Sequence, residues 1–193
     1  MNATPEAVYD FWFGGPNRAQ FGQSRKAWFV KDSAFDAEVR NQFLATLEAA
    51  ERGELMHWRE APKRCLSLVL LLDQFPRNIF RDTPRAFATD AMALETTRFA
   101  VAQNYDQTVV PVERIFFYLP FEHSESLADQ EHCVALVQAL VDADSARADF
   151  LDYAKRHRDV IARFGRFPHR NRILNRASNA AEVEFLKQPG SSF

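Results

Sequence analysis

The chain has 193 residues with a formal net charge of −2, and 47% of its residues are hydrophobic. A chain of this length forms one domain, or at most two small ones, with a sizeable core. So many apolar residues with so small a net charge exclude a disordered chain. The 18 Phe, 4 Tyr and 3 Trp residues are too many for a solvated surface, so most of them are expected inside.

Residues that start and stop helices predict a helical first half. Thr4 followed by Pro5 begins the first helix, which Gly14 ends. Ser33 is predicted to cap a second helix that Gly53 ends. Pro62 opens a third, which is apolar nearly all round. It is predicted as a buried helix rather than a strand because Leu outnumbers the β-branched residues.

The same signals continue through the middle of the chain. Thr89 and Asp90 begin a helix that runs through Phe99. Pro111 begins a short, very apolar helix that Pro120 is predicted to end. Ser124 or Ser126 caps the next helix, which runs to about residue 142.

The clearest helical pattern lies near the end of the chain, before Gly165. A last short helix follows, and Ser178 is predicted to cap it. Roughly eight helices and no alternating strand pattern predict a single all-α domain over residues 1–193. The residues that define the clear pattern share one face of a helix and are Phe150, Ala154, His157, Ile161 and Phe164.

Cysteine content and apolar runs predict a cytoplasmic protein. Cys65 and Cys133 lie in apolar helical patterns and are too few for a disulfide framework. No signal peptide is found, and the longest apolar run is far shorter than the roughly 20 residues of a membrane span. Glycine-rich phosphate loops and other cofactor signatures are also missing, so no cofactor and no membrane partner are predicted.

The first polar segment that attracts attention is Asp73 to Asn78, directly after the most hydrophobic stretch. Buried polar groups need partners, because leaving one unpaired costs about 1–3 kcal/mol. Pro76 is predicted to end the helix and to direct Arg77 and Asn78 away from its axis. Two interpretations stay open: an Asp73–Arg77 pair that caps the helix, and a ligand site.

The second polar segment begins at Glu122. If one helix continues through it, Glu122, Glu125, Asp129 and His132 share a face, where they could hold a divalent metal or act as acid and base. The alternative is that these acids only complement a helix dipole. His123 follows an apolar run and a proline, which makes it a stronger candidate for a site.

The third segment, residues 155–176, contains eight basic residues and a single acid, so it carries +7 and the rest of the chain −9. His157 lies on the apolar face of its helix and is expected to be buried. Arginines concentrated at the Gly165 corner suit bidentate recognition of carboxylate or phosphate. The residues singled out there are Arg163, Arg166, His169, Arg170 and Asn171.

Three explanations compete for this basic segment. The first is that its charges pair with acids elsewhere in the chain, including Asp73, Glu122 and Glu125. The second is that it lines a pocket for an anionic small molecule or an acidic peptide. Nucleic-acid binding is the least favoured, because the isoelectric point is near 6.2 and no nucleic-acid module is recognised.

Long motifs in these segments resemble the uncharacterised bacterial family known as domain of unknown function nine-two-four. The resemblance extends over essentially the whole chain. It implies a superhelical fold similar to the tetratricopeptide class, and it brings no known reaction with it. The motifs that carry it are Leu72 to Arg81, Thr83 to Ala88, Tyr118 to Pro120 with His123 to Glu125, and Arg163 to Asn171 after His157-Arg158.

These observations lead to one main hypothesis and one alternative. The main hypothesis is a helical binding domain whose concave pocket, rich in Arg and His, takes an anionic small molecule or an acidic peptide. The alternative is a hydrolase-like or metal-assisted enzyme with His123 or His157 as general base. The residues predicted to bind the ligand are Asp73, Arg77, His123, Glu125, His157, Arg163, Arg166, His169, Arg170 and Asn171.

Overall fold

The computed structural model describes residues 2–15 and 22–192, and the regular secondary structure of these residues is helical with no strand. The all-α prediction is therefore confirmed. The helices are α1 (Pro5–Phe13), α2 (Ser33–Glu51), α3 (Pro62–Val69), α4 (Phe75–Ile79), α5 (Asp90–Ala102), α6 (Pro111–Glu122), α7 (Leu127–Ala143), α8 (Ala148–Phe164) and α9 (Ala180–Phe185). Because a π-helical turn (Leu70–Gln74) joins α3 to α4 without a break, the described residues form eight separate α-helical segments, in addition to short 3₁₀ turns.

Two compact units make up the described chain. The first contains the residues up to Arg81 and Arg85–Pro120, and the second contains Asp82–Pro84 and the residues from Phe121 onward. The single domain and the tetratricopeptide-like superhelix both stay predictions. Each unit is described by itself below.

Local sequence determines several helix ends as predicted. The Thr4 hydroxyl accepts a hydrogen bond from the Ala7 backbone N–H at the start of α1. Gly165 ends α8 with φ +68°, a left-handed conformation that glycine adopts without steric cost. The predicted caps of α2 and α9 are each wrong by one residue, because Asp32 and Asn179 supply the accepting oxygen instead of Ser33 and Ser178.

Two predicted helix breaks are also wrong. Pro76 does not end the third helix, because the π-helical turn places it in the first turn of α4, where its missing N–H costs little. Pro120 lies inside α6 rather than at its end. Phe117 and Phe121, on either side of Pro120, are both buried, and burial of such side chains outweighs the loss of one backbone hydrogen bond.

Aromatic side chains pack in the core of the first unit, around the helix formed by α3 and α4. Every side chain from Cys65 to Leu72 is fully buried. Trp12 of α1 lies with its ring centroid 5.5 Å from that of Phe75 and 5.7 Å from that of Phe116. Such contacts add to the hydrophobic burial that holds α1, α4 and α6 together.

In the second unit α7 packs along α8. The predicted apolar face of α8 is inside: Ala154, His157 and Ile161 are buried. Val160, Ile161 and Phe167 form a small cluster with the partly buried Phe164 of α8 and Phe185 of α9. This cluster holds the Gly165 corner against α8.

Candidate functional site

The predicted site residues are divided between the two units. Asp73 and Arg77 belong to the first unit, and the other eight belong to the second. The eight do not share one location, because the structure distributes them among a histidine cluster, an ion-pair network and a surface groove.

Asp73 and Arg77 contact each other and a third residue, Asp90. Arg77 Nη1 lies 3.4 Å from Asp73 Oδ1, and the guanidinium donates to both oxygens of Asp90 at 2.8 and 3.0 Å. Gln74 Nε2 also donates to Asp73, which is completely buried. The Asp73–Arg77 pair therefore connects the π-helical turn to the start of α5. It does not cap a helix end, because the helix continues into α4.

Phe167 brings three of the predicted residues together in the second unit. Its buried ring lies 5.6 Å from the ring of His157 and 5.5 Å from that of His169, and the Arg170 guanidinium carbon lies 4.4 Å from its centroid. The Phe167 N–H donates to Glu125 Oε1 at 2.8 Å. We call these residues the Phe167 cluster.

His157 is held beside a buried carboxylate in this cluster. Its Nδ1 lies 2.9 Å from the Tyr153 carbonyl oxygen and 3.2 Å from Glu122 Oε1. Burial, with smaller contributions from the nearby His123, Arg170 and His169, lowers the pKa of His157 to about 3 against the opposing effect of the hydrogen bond with Tyr153. The imidazole is therefore neutral at neutral pH.

Cys133 contacts the same carboxylate. Its Sγ donates to Glu122 Oε2 at 4.0 Å. Burial raises the pKa of the Cys133 thiol well above its ordinary value, and the nearby Glu122 raises it further. The thiol therefore stays protonated and unreactive near neutral pH.

The four residues of the metal alternative occupy separate environments. α6 ends at Glu122 and α7 begins at Leu127, so the prediction that all four share one helix face is wrong; Ser126 between the helices is extended. Asp129 accepts from Ser124, and the His132 ring packs on Phe121. Within residues 2–15 and 22–192, no group of three His, Cys, Asp or Glu side chains could hold a metal ion.

Glu125 and Arg176 form one half of an ion-pair network beyond the Gly165 corner. Arg176 donates to both Glu125 oxygens, at 2.7 and 2.9 Å, and to the Phe167 carbonyl at 3.1 Å. The Arg176 hydrogen bonds and the Phe167 N–H lower the pKa of Glu125 against the opposing effect of burial. Arg176 was not among the predicted site residues.

Arg166 and Glu182 form the other half. Arg166 Nε and Nη2 donate to the two Glu182 oxygens at 2.7 and 2.8 Å. Asn171 Nδ2 donates to Ser178 Oγ at 3.0 Å and to Glu182 at 3.3 Å. These contacts join the corner to the start of α9, so Arg166 and Asn171 have structural partners within the chain.

Arg163 differs from these arginines because it lines an open groove. Among the described residues, no carboxylate pairs with Arg163 or with Arg156, and both side chains are exposed. The groove has a volume of about 210 Å³, and we call it the α8 groove. Its lining residues are Arg156, Asp159, Val160, Arg163, Phe164, Phe185 and Gly190.

Arg163 was selected from the sequence, but the sequence did not predict that the other lining residues of the α8 groove lie together with it. Arg156 and Arg163 are seven residues apart, and this spacing places them on one face of a helix, so the signal was available. Phe185 comes from α9, and no spacing rule connects it to α8. Its position depends on the packing of the Gly165 corner.

The structure therefore defines an all-helical protein with a cationic surface groove, and comparison with known proteins identifies its family. A family model described as "Bacterial protein of unknown function (DUF924)" matches residues 8–190, so the chain belongs to this family. This confirms the resemblance found in the motifs. Comparison with curated proteins gives no match.

A solved structure supports the fold. The chain is similar to a protein of unknown function from Agrobacterium tumefaciens, with 41% sequence identity and a TM-score of 0.82. The similarity covers 95% of this chain and 96% of that protein. No helix within the described residues is both long and apolar enough to cross a membrane.

Proposed function

We propose that this protein is a helical binding domain that recognises an anionic group in the α8 groove. The observation that carries the proposal is that Arg156 and Arg163 line this groove without a carboxylate partner among the described residues. An unpaired guanidinium offers five donors in a planar fork, which suits carboxylate or phosphate. An anionic small molecule or the acidic side chain of a peptide would supply the missing partner.

Aromatic rings prepare Arg163 for this role. Its guanidinium carbon lies 4.7 Å from the Phe164 ring centroid and 5.9 Å from that of Phe185. The rings restrict the side chain and leave its polar edge available to a ligand, so less conformational entropy is lost on binding.

A thermal-shift screen with inorganic phosphate, carboxylates and acidic peptides tests the proposal. We expect at least one anion to raise the Tm of the wild type and to have little effect on Arg163→Ala. Arg172→Ala is the matched control, because Arg172 is an exposed arginine of the same basic segment that does not line the groove. No shift with any anion, or an equal shift in Arg163→Ala, would contradict the proposal.

The contact between Glu122 and His157 favours the enzymatic alternative as a second candidate. A carboxylate beside Nδ1 can orient a neutral imidazole as a general base. Both side chains are buried, however, so the α8 groove supports binding better than the Phe167 cluster supports catalysis.

Ester, amide and phosphoester substrates test this alternative. If it holds, the wild type hydrolyses one class and both His157→Gln and Glu122→Gln lose that activity. Elemental analysis of the purified protein separates the metal-assisted form from the metal-free one. Hydrolysis that survives in both variants would remove His157 as the base.

We also propose that the protein acts in the cytoplasm. Cys65 and Cys133 are buried and form no disulfide with each other, and burial raises the pKa of Cys65 to about 12. A reducing compartment keeps thiols in this reduced form. Fractionation of cells that express the tagged protein tests the location, and recovery outside the cytoplasmic fraction would contradict it.

A further inference from the structure

The spacing of Arg156 and Arg163 restricts what the α8 groove can bind. The two residues are seven positions apart on α8, which is two helical turns. Seven residues rise about 10 Å along a helix axis at about 1.5 Å per residue. The groove therefore presents two positive groups on one face rather than a single concentrated charge.

Each of the two guanidinium groups contacts a different aromatic ring. The Arg156 guanidinium carbon lies 5.7 Å from the Tyr153 ring centroid, toward the N-terminus of α8. Arg163 instead lies against Phe164, near the C-terminus of the helix. Because two helical turns separate the two arginines along α8, a ligand with two acid groups matches them better than a single small anion.

An apolar floor lies between them. Val160 is almost fully buried, and the ring centroids of Phe164 and Phe185 are 5.1 Å apart. The one carboxylate in the wall, Asp159, accepts a hydrogen bond from Arg158 Nε at 2.7 Å and opposes any anionic group placed beside it. The middle of the groove therefore suits methylene or aromatic carbon.

We infer that the α8 groove binds a small molecule with two acid groups separated by an apolar spacer, one acid on Arg156 and the other on Arg163. This inference rests on the proposed function and specifies its ligand class. The volume of about 210 Å³ is at the small end for a ligand pocket, which suits a small molecule better than a folded segment of another protein.

Isothermal titration with succinate, adipate, suberate and sebacate tests the inference, with octanoate as the monoacid that matches suberate in length. We expect affinity to rise with spacer length until both arginines are reached, and suberate to bind more tightly than octanoate. Arg156→Ala and Arg163→Ala should each weaken the best diacid about tenfold, the effect of losing a charge-assisted hydrogen-bonded pair at an exposed site.

Two further variants control for charge and folding. Arg172→Ala removes one positive charge outside the groove and should leave the diacid affinity unchanged. Arg156→Lys keeps the charge but loses the planar fork, so it should recover part of the affinity. Because the three arginines are exposed, circular dichroism should show native helix content in every variant.

The possible outcomes separate this inference from the proposed function. If anions bind but octanoate binds as tightly as suberate, or Arg156→Ala has no effect, the diacid inference is wrong and the proposed function stands. If an acidic peptide binds more tightly than every diacid and needs both arginines, the small-molecule ligand class is wrong. If no anion binds at all, the proposed function itself fails.

Discussion

At the residue scale, two buried glutamates show how the surroundings of a carboxylate decide the direction of its pKa shift. Burial raises the pKa of Glu113 above its usual 4.5, although hydrogen bonds from Tyr9 and the Val110 N–H oppose the effect. Glu182 is equally hidden from water, but the hydrogen bonds from Arg166 lower its pKa to about 2. The two sites differ because burial dominates at Glu113, whereas the Arg166 guanidinium outweighs it at Glu182.

The first prediction concerns Glu113 in the first unit. Because its pKa is raised in the folded state, the folded protein favours the protonated form and loses stability as pH rises through the folded-state pKa. Glu113→Gln stays neutral and keeps an oxygen that accepts from Tyr9. The free energy of unfolding of this variant, measured in urea from about pH 5 to about pH 8, should increase relative to that of the wild type as pH rises.

Tyr9→Phe provides the comparison for Glu113→Gln. It removes the hydroxyl that donates to Glu113 and leaves the buried carboxylate with less compensation. It should destabilise the protein by about 1–3 kcal/mol at neutral pH. A Glu113→Gln curve parallel to that of the wild type would show that Glu113 does not ionise differently in the two states.

At the element scale, the π-helical turn explains how one helix continues across Pro76. The Phe75 N–H donates to the Leu70 carbonyl, so the turn holds one residue more than an α-helical turn. Pro76 has no N–H to offer the Leu72 carbonyl. That carbonyl instead accepts from Thr89 Oγ1 at 2.5 Å, from the residue that precedes α5.

Removing this hydroxyl is the second prediction. Thr89→Val keeps the shape of the side chain and deletes the donor, so it should lower the free energy of unfolding by about 1 kcal/mol. Thr97→Val is the matched control, because the Thr97 hydroxyl is buried with no hydrogen-bond partner among the described residues. Urea unfolding of both variants checks the result, and equal losses would contradict the role of Thr89.

The start of α9 carries the third prediction. Asn179 and Glu182 form a reciprocal capping box, and Arg166 neutralises the Glu182 carboxylate from outside the helix. Because the Glu182 pKa is lowered, its stabilising effect is present above pH 4.5 and is lost as pH falls through about 2. Glu182→Gln should therefore unfold at lower urea than the wild type at neutral pH and approach it at about pH 2.

A neighbouring residue controls for the change of charge in α9. Glu184 is exposed and, within the part of the chain that the structure describes, pairs only with Lys187 at the surface, where an ion pair contributes little. Glu184→Gln should therefore behave like the wild type across the same pH range. If both variants lose equal stability, the effect reflects net charge rather than the capping box.

At the scale of the whole molecule, local signals predicted most helices because caps and glycines act through neighbouring backbone. Thr4 and Gly165 mark real ends for this reason. Pro76 and Pro120 were wrongly predicted to end helices. Whether a helix continues through a proline depends on distant partners, such as Thr89, and on burial, and local sequence rules include neither. The family itself was recognisable because its motifs are long.

The charges of the basic segment were harder to predict. Its excess of positive charge was evident, but the partner of each arginine was not. Arg166 pairs with Glu182 sixteen residues away, and Arg176 pairs with Glu125 across fifty-one. Only Arg163 and Arg156, whose spacing on one helix is local, could have been assigned to the α8 groove from sequence.

The last prediction follows from the carboxylates of both units. Asp36 in the first unit accepts two hydrogen bonds from Arg81, and Glu125 and Glu182 in the second pair with Arg176 and Arg166. All three pKa values are lowered in the folded state. Each carboxylate therefore stabilises the fold above its unfolded-state pKa, and this stability is lost on acidification.

Urea unfolding at several pH values, followed by two probes, tests the effect in each unit. Trp12, Trp28 and Trp58 all lie in the first unit, so their fluorescence reports that unit, while circular dichroism reports both. Both midpoints should fall from about pH 5 to about pH 2. Asp36→Asn should reduce the pH dependence of the midpoint measured by fluorescence more than that of the midpoint measured by circular dichroism, because Glu125 and Glu182 remain. Midpoints that stay constant or rise on acidification would show that these ion pairs do not govern the acid stability of either unit.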